Sequence, residues 1–266
     1  RDAVHTVEEM ARVARDIARV KYNGLAAHDV SQREACEWFE KSVALDRRVL
    51  AAMAVDADAV AVAAAAPPPT SLVMLAQCYL HGTDGFTLDE AKGVLLLREC
   101  AGNAGSYECM SLLGTLHLWG NHGVAQDSEV AEALLAPAAR HGQAFASYGL
   151  GMMWFLGFKN NTDRNYRIAA EHLERASAQG YLLAHSYVGG MYMDGAGHGP
   201  KIDPETGAMI AVDTRVAPNL DKAAHHFREL AMRGGPWGNP DAVTAAARRA
   251  HSYVRRSGQS SAEARA

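Results

Sequence analysis

Small and apolar residues recur along this chain at a near-constant interval. Gly82, Gly120, Gly157 and Gly195 fall in one column, separated by 38, 37 and 38 residues. Seven positions before each stands Leu75, Leu113, Leu150 or Val188, and six before stands Ala76, Gly114, Gly151 or Gly189. Three before lies a planar ring (Tyr79, His117, Trp154, Tyr192), and eleven before lies a small residue (Ser71, Cys109, Ala146, Ala184). Offsets of −11, −7, −3 and 0 follow the helical period, so these positions share one helix face. A degenerate copy precedes them, with Val13, Ile17 and Ala18 before Gly24 and Lys21 at the ring position beside Tyr22.

A second run follows each glycine. Ala131 and Gly142, Ala169 and Gly180, and Ala223 and Gly234 are each 11 positions apart, and Ala35 and Asp46 match them near the N-terminus. The pattern predicts helix hairpins. The column glycine supplies the left-handed residue that ends the first helix. Asp89, Asp127 or Ser128, and Asp221 are the expected starts of second helices. Small residues at −11 and −6 admit a close partner helix. Neither helix buries its apolar face alone, so neighbouring hairpins must share a core.

The motif A-x-x-x-L-G-x-x-Y-x-x-G is clearest in Ala146–Gly157 (ASYGLGMMWFLG) and Ala184–Gly195 (AHSYVGGMYMDG). With its alanine-led second helix it resembles the Sel-one-like repeat family, relatives of the tetratricopeptide repeats, over residues 11–46 and 70–235. The resemblance implies an all-α, right-handed α-solenoid of tandem helix-turn-helix repeats, its concave inner face lined by the first helices. It also implies a non-catalytic scaffold or adaptor in a multi-protein complex. Family members act in endoplasmic-reticulum quality control, signalling scaffolds and bacterial host interaction.

Two breaks interrupt the array. Residues 47–69 hold an Ala/Val-rich helical stretch and then Pro67, Pro68 and Pro69, read as a helix extension and linker. Ala223 stands 28 positions after Gly195, where the equivalent alanines stand 11 or 12 positions after their glycines. The extra residues, 196–219, are rich in Gly, Pro and Asp and are read as a loop on one face, a candidate partner contact. The chain thus divides into a degenerate repeat (1–46), an extension and linker (47–69), four repeats with the insertion (70–235), and a capping helix with a basic tail (236–266). Pro137 falls inside a second helix, where it should kink or loosen a turn.

Composition narrows function. A net charge of −4 argues against a chain-wide nucleic-acid surface. Contact with nucleic acid is left to the basic C-terminal tail, through Arg248, Arg249, Arg255 and Arg256. No segment reads as a membrane span. Cys36, Cys78, Cys100 and Cys109 show no zinc spacing; they permit two disulfides or serve equally well as buried thiols. No HExxH, GxSxG or phosphate-loop motif stands in its required setting, so no catalytic, cofactor or metal site is expected. His225 and His226 are adjacent, point about 100° apart on a helix and make a poor metal pair. His117 is read as a packed ring. Glu171 and Glu174, among Arg164, Arg167 and Arg175, read as a charged outer face.

The expected partners are other proteins. Candidate contacts are Met110, Tyr148, His185 and Tyr187 on first helices, with Ser147 beside them, and His198 and Lys201 in the insertion. The alternatives are a lumenal adaptor of a ubiquitin-ligase quality-control complex and a structural subunit of an organellar ribonucleoprotein or other large assembly.

Overall fold

The computed structural model describes residues 2–23, 31–53, 69–102, 106–158, 164–196, 201–202, 209–211 and 215–233. The expected capping helix, residues 54–68, His198 and the four tail arginines lie outside them. The chain divides into two compact units, Arg1–Gln126 and Asp127–Ala266.

The first unit holds α1 (Asp2–Asn23), α2 (Gln32–Met53), α3 (Pro69–His81), α4 (Glu90–Ala101) and α5 (Tyr107–Trp119). The second holds α6 (Ser128–Arg140), α7 (Ala144–Leu156), α8 (Tyr166–Ala178), α9 (Leu182–Asp194) and α10 (Leu220–Arg233). Within each unit every helix packs against its neighbours in sequence. The architecture is the all-α stack of helix hairpins that the periodicity predicts.

The repeat columns form the core. Ser71, Cys109, Ala146 and Ala184 at −11, and Leu75, Leu113, Leu150 and Val188 at −7, are all buried. So are Ala35, Ala131, Ala169 and Ala223, which open the second runs. The −6 column is small because partner helices lie almost against its backbone. A Cβ added to Gly151 would stand 2.6 Å from Leu173 Cγ on α8. Gly120 and Gly157 end α5 and α7 in the left-handed conformation, with φ of 67° and 78°.

Second helices begin on side-chain caps. Asp89 accepts from the Lys92 N–H, Asp127 from those of Glu129 and Val130, Asn165 from Ile168, and Asn219 from Lys222. The cap of α10 is therefore Asn219 rather than Asp221, which lies in the first turn. The α6 helix runs through Pro137 to Arg140.

One open alternative is settled and two readings are revised. The four cysteines are bridged, Cys36 to Cys78 and Cys100 to Cys109. Each bridge joins the second helix of one hairpin to the first helix of the next. The insertion is not wholly loop. Gly195 leaves α9 at φ 72° and ψ 161°, Ala196 pairs with Val216, and β1 (Lys201–Ile202) lies antiparallel to β2 (Met209–Ala211).

Glu174, read as outer face, instead joins the last two hairpins. Tyr192 donates its hydroxyl to Glu174 Oε1 at 2.7 Å, and Lys222 Nζ reaches that oxygen at 3.2 Å and the Tyr192 oxygen at 2.9 Å. The first unit repeats the device: Tyr79 donates to Glu40, and Lys92 bonds both.

Candidate protein-interaction surface

Six aromatic rings in the second unit form one continuous cluster. On α7, Phe145, Tyr148 and Phe155 are spaced by three and seven residues and so share a face. Tyr181, immediately before α9, lies 4.6 Å from Tyr148 between ring centroids and 5.6 Å from Phe145. Tyr187 on α9 bridges the two ends, 6.0 Å from Tyr148 and 5.5 Å from Phe155 in an edge-on arrangement. Tyr166, which opens α8, meets Phe155 edge-on at 5.4 Å. These separations lie in the range where ring quadrupoles attract.

All six residues are partly buried, neither sealed in the core nor fully exposed. Burial pushes the Tyr148 hydroxyl well above the usual phenol range, and the neighbouring Tyr187 and Tyr181 add to the shift. Burial likewise raises Tyr181, with Tyr187 adding to it. The Tyr148 and Tyr181 hydroxyls therefore stay protonated through the physiological range. Protein interfaces use rigid aromatic rings, many with polar tips, as anchors, because they offer large contact area for few rotatable bonds.

The residues expected at an inner face separate by depth. Tyr148 and Tyr187 belong to this cluster, and Met110, on α5 of the first unit, is half-buried. Ser147 and His185 are buried at 0% and 5% exposure and line no open surface. Ser147 donates to Gln179 Oε1 at 3.0 Å. His185 Nδ1 lies 3.0 Å from Nδ1 of His226 on α10, so one ring donates and the other accepts. Burial first, then the neighbouring His185 and His225, lower the His226 pKa to about 4. Phe145, Phe155, Tyr166 and Tyr181 were not singled out in the sequence. All four fall outside the ring column, and only the packing of α7, α8 and α9 brings them together.

The insertion contributes a second, more polar recess. Arg215 to Asn219 of its returning arm, with Arg167 and Glu171 of α8 and the Tyr192–Lys222 joint, line a pocket of about 340 Å³. Lys201 starts the short ribbon. Among the described residues no three His, Cys, Asp or Glu side chains are grouped to hold a metal ion. None of the described helices is long and apolar enough to cross a membrane.

The Sel1 repeat matches residues 10–46, 69–101, 108–143, 144–181, 182–209 and 213–235. The chain belongs to the Sel1 repeat family. A crystal structure of a Sel1 repeat protein from Oxalobacter formigenes is 19% identical over 93% of this chain and 88% of its own, with a TM-score of 0.56. The protective antigen c5321 of uropathogenic Escherichia coli, which displays the same repeat fold, is 19% identical over 84% of this chain and 46% of its own, at 0.49. The immunity protein Pa5087 of Pseudomonas aeruginosa is 18% identical over 82% and 66%, at 0.44. Among curated proteins none matches the chain. Sel1 repeats generally mediate protein–protein interactions and are typically non-catalytic.

Proposed function

We propose that this chain is a non-catalytic scaffold that anchors a protein partner on the aromatic cluster of α7, α8 and α9. The observation that carries the reading is the ladder of six partly buried rings running from Phe145 to Tyr166. Tyr148 and Tyr187 are its central anchors, and the insertion around Lys201 is a secondary contact. Interfaces concentrate their energy on a few such aromatic anchors.

Quantitative affinity purification tests this. Proteins retained by the parent chain should be lost from Tyr148→Ala and Tyr187→Ala variants whose circular dichroism is unchanged. Identical sets of retained proteins would sink the proposal.

The two disulfides favour one of the more specific readings, an adaptor in an oxidising lumen such as that of an endoplasmic-reticulum ubiquitin-ligase complex. Persistent disulfides belong to oxidising compartments. Maleimide labelling of protein quenched directly from its native host distinguishes the cases: four protected thiols support the lumenal reading, four labelled thiols reject it.

A further inference from the structure

The first hairpin carries an apolar groove on the side away from the other described helices of its unit. Residues 36, 40, 43 and 47 of α2 turn toward the following hairpins: Cys36 is bridged to Cys78, Glu40 holds Tyr79, and Arg47 bonds Glu99 at 2.5 Å. Trp38, Lys41, Leu45 and Arg48 lie on the opposite face of the same helix. With Met10, Val13 and Ile17 of α1 they line a groove of about 550 Å³. Met10 and Val13 are 47% and 49% exposed, unusual for large apolar side chains aligned at helical spacing.

The groove floor is apolar and its rim is charged unevenly. On the α2 side Lys41 and Arg48 stand two turns apart, and Lys41 Nζ is held 4.3 Å over the Trp38 ring. On the α1 side Glu9 is paired with Arg12 at 3.5 Å. Among the residues that line the groove, the α2 side thus carries two cations and the α1 side one carboxylate. The lining from Thr6 to Ile17 covers about three helical turns, some 16 Å. An apolar trough of that length between two helices fits the apolar stripe of a third helix.

We propose that the α1–α2 groove docks an amphipathic helix from a partner protein, with an acidic flank lying along Lys41 and Arg48. This surface is separate from the aromatic cluster and does not rest on that reading. Met10, Val13 and Trp38 take the apolar stripe, and the cationic ridge sets which flank faces α2.

The probe is a fluorescein-labelled sixteen-residue helical peptide with leucines at i, i+3, i+4, i+7 and i+11 and glutamates on one flank. A second peptide carries lysines in place of the glutamates. Fluorescence anisotropy with the full chain should favour the acidic peptide about tenfold, on the scale of a few rim charge pairs. The double variant Met10→Glu/Val13→Glu should lose binding of both. Because these side chains are half exposed, its circular dichroism and melting should match the parent. Lys41→Glu/Arg48→Glu should reverse the preference while leaving the groove floor intact.

Equal binding by the Met10→Glu/Val13→Glu variant would overturn the proposal. So would a charge preference unmoved by Lys41→Glu/Arg48→Glu. Concentration-dependent dimerisation that Val13→Glu abolishes would assign the face to a second copy, and equal uptake onto neutral lipid vesicles would assign it to a membrane. Either result would also overturn it.

Discussion

The Tyr192 hydroxyl meets Glu174 at 2.7 Å across the joint between the last two hairpins, with Lys222 bonded to both. Glu40, Tyr79 and Lys92 make the same arrangement in the first unit. The phenol lies between a carboxylate and an ammonium, and each lysine also stacks over its tyrosine ring, at 4.5 Å and 4.1 Å. A ring column that looks in sequence like apolar packing thus also supplies the polar fastener between repeats.

Tyr192→Phe should lower unfolding free energy by about 1–2 kcal/mol, the value of a charge-assisted hydrogen bond whose acceptor keeps a second partner. Urea denaturation of Tyr192→Phe against Tyr79→Phe measures both joints. No change in either variant would show that ring packing alone holds them.

Gly151→Ala tests the close approach of α7 and α8. The new methyl would meet Leu173 Cγ at 2.6 Å and the Leu173 backbone nitrogen at 3.2 Å, and only the side chain can yield. Overpacking of this kind costs about 1–3 kcal/mol. Elsewhere in a helix the same substitution would stabilise by up to about 1 kcal/mol, so the sign of the change in melting temperature is decisive.

The disulfides close loops of unequal length, with separations of 42 and 9 residues. On the chain-entropy account they contribute about 4 and about 3 kcal/mol. Cys36→Ser/Cys78→Ser should therefore lower the denaturant midpoint more than Cys100→Ser/Cys109→Ser. The reverse order would show that native contacts around the bridges, and not loop closure, dominate.

His226 should make the last hairpin acid-sensitive. Its pKa is about 4 in the fold against 6.5 for an unperturbed histidine, so the unfolded chain takes up the proton first as pH falls. Stability from this group is complete above pH 6.5 and is lost toward pH 4, by at most about 3 kcal/mol. Below that window both states are protonated and the loss levels off. Burial is the main cause of the shift; the facing His185, His225 and Lys222 add to it and Glu174 opposes it. Urea midpoints measured from pH 7 to 4 should fall less steeply for His226→Gln than for the parent chain; parallel slopes would contradict the assignment.

The repeat was legible because packing two helices closely at a fixed interval demands small residues there, and that demand leaves a mark every 37 or 38 positions. Gly151, Gly189 and the buried alanines could be read one by one for this reason. Helix starts were readable where Asp89 and Asp127 stood in view. At α10 the acceptor is Asn219, and neighbouring Asp221 drew the assignment two residues too late.

By itself, then, the sequence determined the helix type, the hairpin period, the core columns and the family, because all of these depend on local period and side-chain size. Only the tertiary structure decided which cysteines pair, that His185 turns inward to meet His226 rather than outward, and that Glu174 fastens a joint. It also gathered Phe145, Phe155, Tyr166 and Tyr181 around Tyr148 and Tyr187. Those relationships join residues on different helices, where neither spacing along the chain nor residue type encodes distance.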